Sequence, residues 1–285
     1  SYVNNDDVDK KNDRDDIGFI AWSVKKQPNI PGMTNTCALD TILFLINQMR
    51  KNWIYINDEI NSSTNSLKYA MELMNINDHD MARYILTKAN TNFCHINNGD
   101  DFFDLDSSVG DWLNVFRDLT SVTIEKTIQC AKCNKNRKND IIMNCISVPV
   151  IDSNIIQEIK KKQDSEQVRK CGKVDYVIDE DQSDVPVYEP KCNGDEISRD
   201  KIVNIPSILT IVASEHVGCD YMFLDLPKNI RFMNLNWELG GVVLKNECHF
   251  RGICFKSDNT WSLYDGMKKG LIELNAAELS MNDII

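Results

Sequence analysis

The stretch PGMTNTCALDTILFLINQM, residues 31–49, decides how this chain is read. Pro31 and Gly32 make a turn, polar residues lead to Cys37, and an almost unbroken apolar run follows. A helix that is apolar on nearly every face belongs in the middle of a domain, so residues 38–52 are expected to form a central, buried helix. Cys37 stands where the loop becomes that helix. The thiolate, not the thiol, attacks a carbonyl, and a helix N-terminus lowers a thiol's pKa. The position reads either as packing or as a nucleophile.

On the C-terminal side, helical punctuation continues. SSTNSLKYAMELMN and NDHDMARYILTKAN fall within 61–91, with Ser63 or Thr64 and Asn77 or Asp78 as caps. In 107–120, Trp112, Val115, Phe116 and Leu119 fall on one helical face. From about residue 121 the texture becomes β-branched. SVTIEKTIQC and IIMNCISVPVI read as two strands across the polar CAKCNKNRKND, and 152–170 as a polar segment, helical or loose. IPSILTIVAS, RFMNLNWELGGVVL, HFRGICFK and TWSLYDGM read as successive strands. Helices first and a mostly antiparallel sheet afterwards make an α+β fold.

Composition narrows the function. A chain of 285 residues with 42% hydrophobic residues can bury a sizeable core. A net charge of −11 argues against nucleic acid as the partner and suits one with a basic face or tail. No stretch is long and uncharged enough to span a bilayer. Residues 1–17 read as a flexible, charged arm without the apolar centre of a signal peptide, which sets the expected compartment as cytoplasm or nucleus. In such a reducing compartment the ten cysteines divide into ligands, a nucleophile and buried filler. Cys94, Cys145, Cys219 and Cys254 are read as filler, and Trp112, Trp237 and Trp261 as core.

A nucleophilic cysteine needs a histidine base held by a third group. Four histidines are available. His79 lies in a polar helix start, His95 in a loop-like stretch and His216 in a turn. His249 opens a strand, and Asp265 closes the next one. A hairpin places two such residues side by side, where the carboxylate can fix the imidazole tautomer.

These residues carry a resemblance. NTCALDTILFLINQ resembles the cysteine box of ubiquitin-specific proteases, and ECHFRGICFKSDNTWSLYDGM is similar to their histidine box. CAKC resembles their zinc knuckle, and NIPSILTIV their Leu-Pro strand. The resemblance spans roughly 30–270. It implies a papain-like fold of helical thumb (about 30–120), β fingers (about 121–205) and β palm (about 206–275), within one catalytic domain over 18–285. It implies a cysteine-type deubiquitinase that hydrolyses the bond after the C-terminal Gly-Gly of ubiquitin, with Cys37 as nucleophile, His249 as general base and Asp265 as its orienter. Implied partners are ubiquitin or a ubiquitin-like protein and ubiquitinated proteins, met by a monomer. Asp100, Asp101, Asp104 and Asp106 are expected to attract a basic tail.

The chain departs from the family pattern at several positions. Gly32 stands where the family places an oxyanion-donating Asn, which leaves the Cys37 backbone N–H with Asn35 as the expected donors; a lost donor costs about 10²–10³ in rate. Asp40 replaces an Asn, a Cys-x-x-Asp form closer to a divergent branch that includes a SUMO isopeptidase. SUMO is therefore the alternative substrate, and a catalytically weak ubiquitin-binding pseudoprotease is the second alternative. Catalysis needs no cofactor. The Cys130-x-x-Cys133 pair has knuckle spacing, and Cys192 with Cys171 could complete a structural zinc site if 172–191 forms a loop or hairpin.

Overall fold

A computed structural model describes residues 28, 30–63, 65–89, 95–96, 102–106, 108–148, 157–159, 161, 164–171, 174–177, 187–190, 192–213, 227–246, 249–255, 261–266 and 272–274. The 1–17 arm, Asp100, Asp101, Cys94, His216, Cys219 and Cys248 lie outside the described residues. The chain forms two units, one of residues 1–120 with 216–285 and one of residues 121–215.

The first unit is built on the apolar run. After strand β1 (Gly32–Thr34), helix α1 (Cys37–Asn52) begins at the cysteine, and every residue from Cys37 to Asn47 is buried. Each Leu, Ile or Phe buried there contributes about 1.5–3 kcal/mol. Trp53 is extended and ends the helix. Helix α2 (Ile54–Ser62), absent from the sequence reading, follows at once and buries only Ile56 and Ile60, one turn apart. Helices α3 (Asn65–Asn75) and α4 (His79–Ala89) pack on each other. Asp78 Oδ1 accepts from Met81 N at 3.3 Å at the start of α4.

Strands β2 (His95–Ile96) and β3 (Phe102–Asp104) join β1 in a small sheet, in which β1 and β3 run parallel. The helix expected over 107–120 is broken into α5 (Val109–Leu113), a 3₁₀ turn at Asn114–Phe116 and α6 (Arg117–Thr120). Ser108 and Asp111 form a reciprocal capping box, and Trp112, Phe116 and Leu119 are buried as expected.

The second unit holds β4 (Val122–Cys130), β5 (Lys135–Met143), β6 (Ile146–Val148), β7 (Asp164–Lys170), β8 (Val174–Val177), β9 (Val187–Pro190), β10 (Asp195–Asn204) and β11 (Ile211–Ala213). An antiparallel sheet runs β5-β4-β10-β7. Two sequence readings change here. The polar residues 135–140, read as a connection, belong to β5, and 164–170, read as helical or loose, form β7. Charge pairs reach across these polar strands: Glu166–Arg199 at 2.8 Å and Asp195–Lys170 at 2.7 Å face one another in register between β7 and β10, and Lys138 of β5 pairs with Glu125 of β4 at 2.5 Å. Among the described residues of IPSILTIVAS, Ile211–Ala213 is strand, paired parallel to β6.

The chain returns to the first unit through the hairpin β12 (Asn229–Phe232) and β13 (Leu235–Glu238). Met233 and Asn234 both have positive φ at its two-residue turn. Strands β14 (Gly241–Asn246), β15 (His249–Phe255), β16 (Trp261–Asp265) and β17 (Ile272–Leu274) then form an antiparallel sheet in sequence order. The sheet lies against α1 at its glycines. A Cβ on Gly252 would stand 3.1 Å from Thr41 Cγ2, and one on Gly241 2.8 Å from Leu45 Cδ2 and 2.9 Å from the Ile253 carbonyl oxygen.

A buried ion pair ties α4 to α1. Arg83 Nε donates to Asp40 Oδ1 at 2.5 Å, with the two side chains 2% and 0% exposed, and Thr36 Oγ1 donates to Asp40 Oδ2 at 2.7 Å. Burial pushes the Asp40 carboxyl up, and Arg83 and Thr36 oppose that push. Removing one partner leaves the other charge buried alone, at a cost of about 3–5 kcal/mol. Arg83→Met is therefore expected to lower urea unfolding stability by about that much; a loss below about 1 kcal/mol, no more than an exposed pair contributes, would show that the pair does not hold α4 in place.

Candidate active site and cysteine cluster

Cys37, His249 and Asp265 all lie in the first unit. His249 Nε2 and Asp265 Oδ1 are 2.8 Å apart, with Asp265 2% exposed. An ionised carboxylate can only accept, so in that contact Nε2 is the donor and Nδ1 is the nitrogen left to face the thiol's proton. The backbone N–H of Phe250, the residue after His249, donates to the Cys37 sulfur. Strand β15 thus presents the base to Asp265 and a donor to the thiol from consecutive residues.

The helix start works differently from the sequence expectation. Burial pushes the Cys37 thiol up, against the N–H donors of Phe250, Ala38 and Cys37 itself, while the charge of Asp40 one turn on adds to the rise. Desolvation outweighs the helix end. Thr36 makes no side-chain cap, because its hydroxyl serves Asp40. The first-turn N–H groups therefore face the sulfur, where they could also serve an oxyanion.

Asn35, expected as an oxyanion donor, has φ 55° and donates from Nδ2 to Asp104 Oδ1 at 2.8 Å. Its amide keeps a second N–H. Asp104, expected to attract a basic tail, accepts this bond and another from the Asp106 backbone at 3.1 Å. His79 is half-buried rather than solvent-facing, and burial, then Arg83, push its imidazole down. His95 lies in β2. Cys254 is buried and Cys145 half-buried. Trp112 and Trp261 are fully buried, while Trp237 is partly buried and donates to the Phe232 carbonyl at 3.2 Å.

Two charged residues escaped sequence reasoning. Arg83 holds Asp40, and Arg251 Nε lies 3.2 Å from Asp265 Oδ2. The second carried a signal, since it follows His249 by two along a strand whose neighbour ends in Asp.

In the second unit the sulfurs of Cys130, Cys133, Cys171 and Cys192 all lie within 4.8 Å of one another. Cys130 and Cys133 sit on the β4–β5 turn, while Cys171 follows β7 and Cys192 precedes β10, bridged in sequence by the β8–β9 hairpin. The Cys130–Cys192 and Cys133–Cys171 sulfurs are 3.7 Å apart. A disulfide would need about 2.05 Å, whereas Zn–S bonds of about 2.3 Å at tetrahedral angles place sulfurs about 3.8 Å apart. Backbone N–H groups of Cys133 and Lys132, opposed by desolvation, lower the Cys130 thiol to about 7, towards the ligand form. Gly194 N donates to Cys192 Sγ at 3.4 Å. The four cysteines could hold a metal ion, and the donor set fits zinc.

Two outcomes follow from this geometry. Alkylation of Cys37 by iodoacetamide is expected to quicken as pH rises beyond the range of an ordinary thiol, because burial keeps the proton on sulfur; a plateau already reached in acid would instead mean a thiolate–imidazolium pair. In the cysteine cluster, one zinc per chain is expected by elemental analysis. Gly194→Ala, whose Cβ would sit 2.6 Å from Lys132 Cβ and 3.1 Å from Cys130 Sγ, should weaken binding roughly 10–100-fold in a chelator competition. Undiminished affinity would show that the cluster is not the metal site.

No family model matches the chain, and no curated protein matches it. Solved structures do. The chain is similar to the SAGA DUB module Ubp8/Sgf11/Sus1/Sgf73 bound to monoubiquitin, at 16% identity and a TM-score of 0.47 over 87% of this chain and 64% of that one. For the same module bound to ubiquitin aldehyde the identity is 14% and the TM-score 0.48, over 85% and 64%. A third Ubp8/Sgf11/Sus1/Sgf73 DUB module gives 14% and 0.45, over 89% and 66%. The chain spans 64–66% of the length of these matched chains.

Proposed function

We propose that this chain is a cysteine isopeptidase of the ubiquitin-specific protease type, acting on ubiquitin-conjugated proteins with Cys37, His249 and Asp265. The observation that carries the reading is the 2.8 Å His249–Asp265 contact on a strand whose next residue, Phe250, donates to the Cys37 sulfur. The likeness of the two sequence boxes to that family points the same way.

The proposed reaction follows from the donors and acceptors. His249 Nδ1 takes the Cys37 proton as sulfur attacks the carbonyl carbon of the terminal glycine, and Asp265 stabilises the imidazolium through Nε2–H. The backbone N–H of Cys37 and the second N–H of Asn35 receive the oxyanion. The imidazolium returns its proton to the departing amine, leaving a thioester. Water, deprotonated by His249, attacks the thioester, and the released carboxylate and thiol restore the site. Zn²⁺ held by Cys130, Cys133, Cys171 and Cys192 would tie four backbone segments together, with its coordination filled by thiolates. The net charge of −11 favours ubiquitin over the acidic SUMO. The Cys-x-x-Asp form keeps SUMO as the alternative substrate, with the Asp40 carboxylate itself buried against Arg83 and Thr36. The protein would act as a monomer in the cytoplasm or nucleus.

Ubiquitin and SUMO carrying a C-terminal electrophile test the reading directly. A ubiquitin adduct that disappears in Cys37→Ala is the expected result. A SUMO-only adduct would move the substrate to the ubiquitin-like alternative. Folded protein that forms no adduct but binds ubiquitin would be the pseudoprotease, and the proposed hydrolysis would be wrong.

A further inference from the structure

We propose that Arg251 is a positioning residue of the site: it supplies the permanent counter-charge of Asp265 and thereby sets the pH below which His249 stops acting as a base. The proposal rests on the triad reading above and extends it to a residue outside the triad.

The strand pattern places the three groups together. His249 and Arg251 are two apart on β15 and so share a face. The register sets Arg251 directly opposite Asp265 on β16. The carboxylate then has a cation on one oxygen and the imidazole on the other: Arg251 Nε lies 3.2 Å from Oδ2, and His249 Nε2 2.8 Å from Oδ1. Asp265 is 2% exposed and Arg251 23%.

A carboxylate this buried needs a counter-charge. Neutral His249 supplies none, and a general base must be neutral before it acts. Arginine is charged at every working pH. Arg251 therefore keeps Asp265 ionised while His249 is neutral. It also opposes a positive charge on the ring, because a nearby like charge disfavours the protonated form. The other charged groups around the site leave this balance to Arg251. Tyr264, beside Asp265, is a phenol held neutral by burial, and it senses Asp40, Arg83, Asp265 and Cys37. Asp40 is already paired with Arg83. Lys245 on β14 lies over the Phe250 ring.

The test compares Arg251→Met, which keeps the stem and removes the charge, with Arg251→Lys, which keeps the charge. Turnover of a ubiquitin–fluorophore substrate is measured against pH, and the His249 ring is titrated by NMR in labelled protein, its signal identified by loss in His249→Gln. The Met variant should move the acid limb of kcat/KM, and the NMR midpoint with it, upward by about one pH unit. The Lys variant should stay near the native profile. Arg251→Gln replaces the Met variant if that fails to fold. Native and uncharged-variant curves that superimpose in both readouts would reduce Arg251 to packing. If the native chain turns over no ubiquitin substrate, the isopeptidase reading fails by itself, and the NMR titration still decides the Arg251–Asp265–His249 coupling.

Discussion

The register of β15 against β16 is the constraint on which the candidate site rests. Arg251 pairs with Asp265, Gly252 with Tyr264 and Ile253 with Leu263. Side chains alternate with period two, so a slip of one residue would turn Asp265 away from both His249 and Arg251. The register is pinned by burial. Every residue from Trp261 to Asp265 is buried, and Trp261 meets Phe255 edge-on at 5.1 Å while Tyr264 stacks on Phe44 of α1 at 4.7 Å. Packing that has nothing to do with catalysis therefore aims the three polar groups.

Helix α1 supplies the other half of the site, and its position depends on close approach. Gly241 and Gly252 leave room for Leu45 and Thr41, so the sheet sits nearer the helix than any side chain would permit. Within α1, Asp40 is the one charged residue in the buried stretch. It pairs with Arg83 of α4 and holds the Thr36 hydroxyl away from capping, and Asp40 and Thr36 leave marks on Cys37. The helix start keeps its N–H groups for the sulfur, and a carboxylate one turn away resists thiolate formation. The Asp that departs from the family's Asn thus has a structural occupation and an electrostatic side effect.

What could be read in advance followed from chemistry borne by single residues. Cys37 at a loop-to-helix junction, His249 opening a strand and Asp265 closing the next were legible because each depends on local pattern and order. The cysteine cluster was legible by residue type, and a hairpin does lie between Cys171 and Cys192. Strands β5 and β7 were hidden because polar residues paired by charge across strands look like loop in one dimension. Helix α2 was hidden because two buried isoleucines make a weak period. Arg83 was hidden because its partner is 43 residues away and nothing local marks it, whereas Arg251 shares the period-two face of His249 and could have been found from that spacing. The direction of the Cys37 shift failed for a related reason. A helix end is visible in sequence, but the depth at which it is buried is a property of the whole unit.

These features together describe a resting site with little net charge. The Cys37 thiol keeps its proton because burial penalises the anion. Asp265 lies against Arg251, and Asp40 against Arg83, so each buried carboxyl has a cation beside it. In the proposed reaction, proton transfer from Cys37 to His249 creates a thiolate and an imidazolium at once, where neither existed. The N–H groups of Phe250, Ala38 and Cys37 are already aimed at the sulfur, and Asp265 Oδ1 is already on the ring. Donors that are in place before the charge appears need no reorganisation when it does, which is the condition under which electrostatic stabilisation favours the transition state over the ground state. The cost of the buried thiol is thereby confined to the resting state, and the strand that delivers His249 also delivers part of what offsets it.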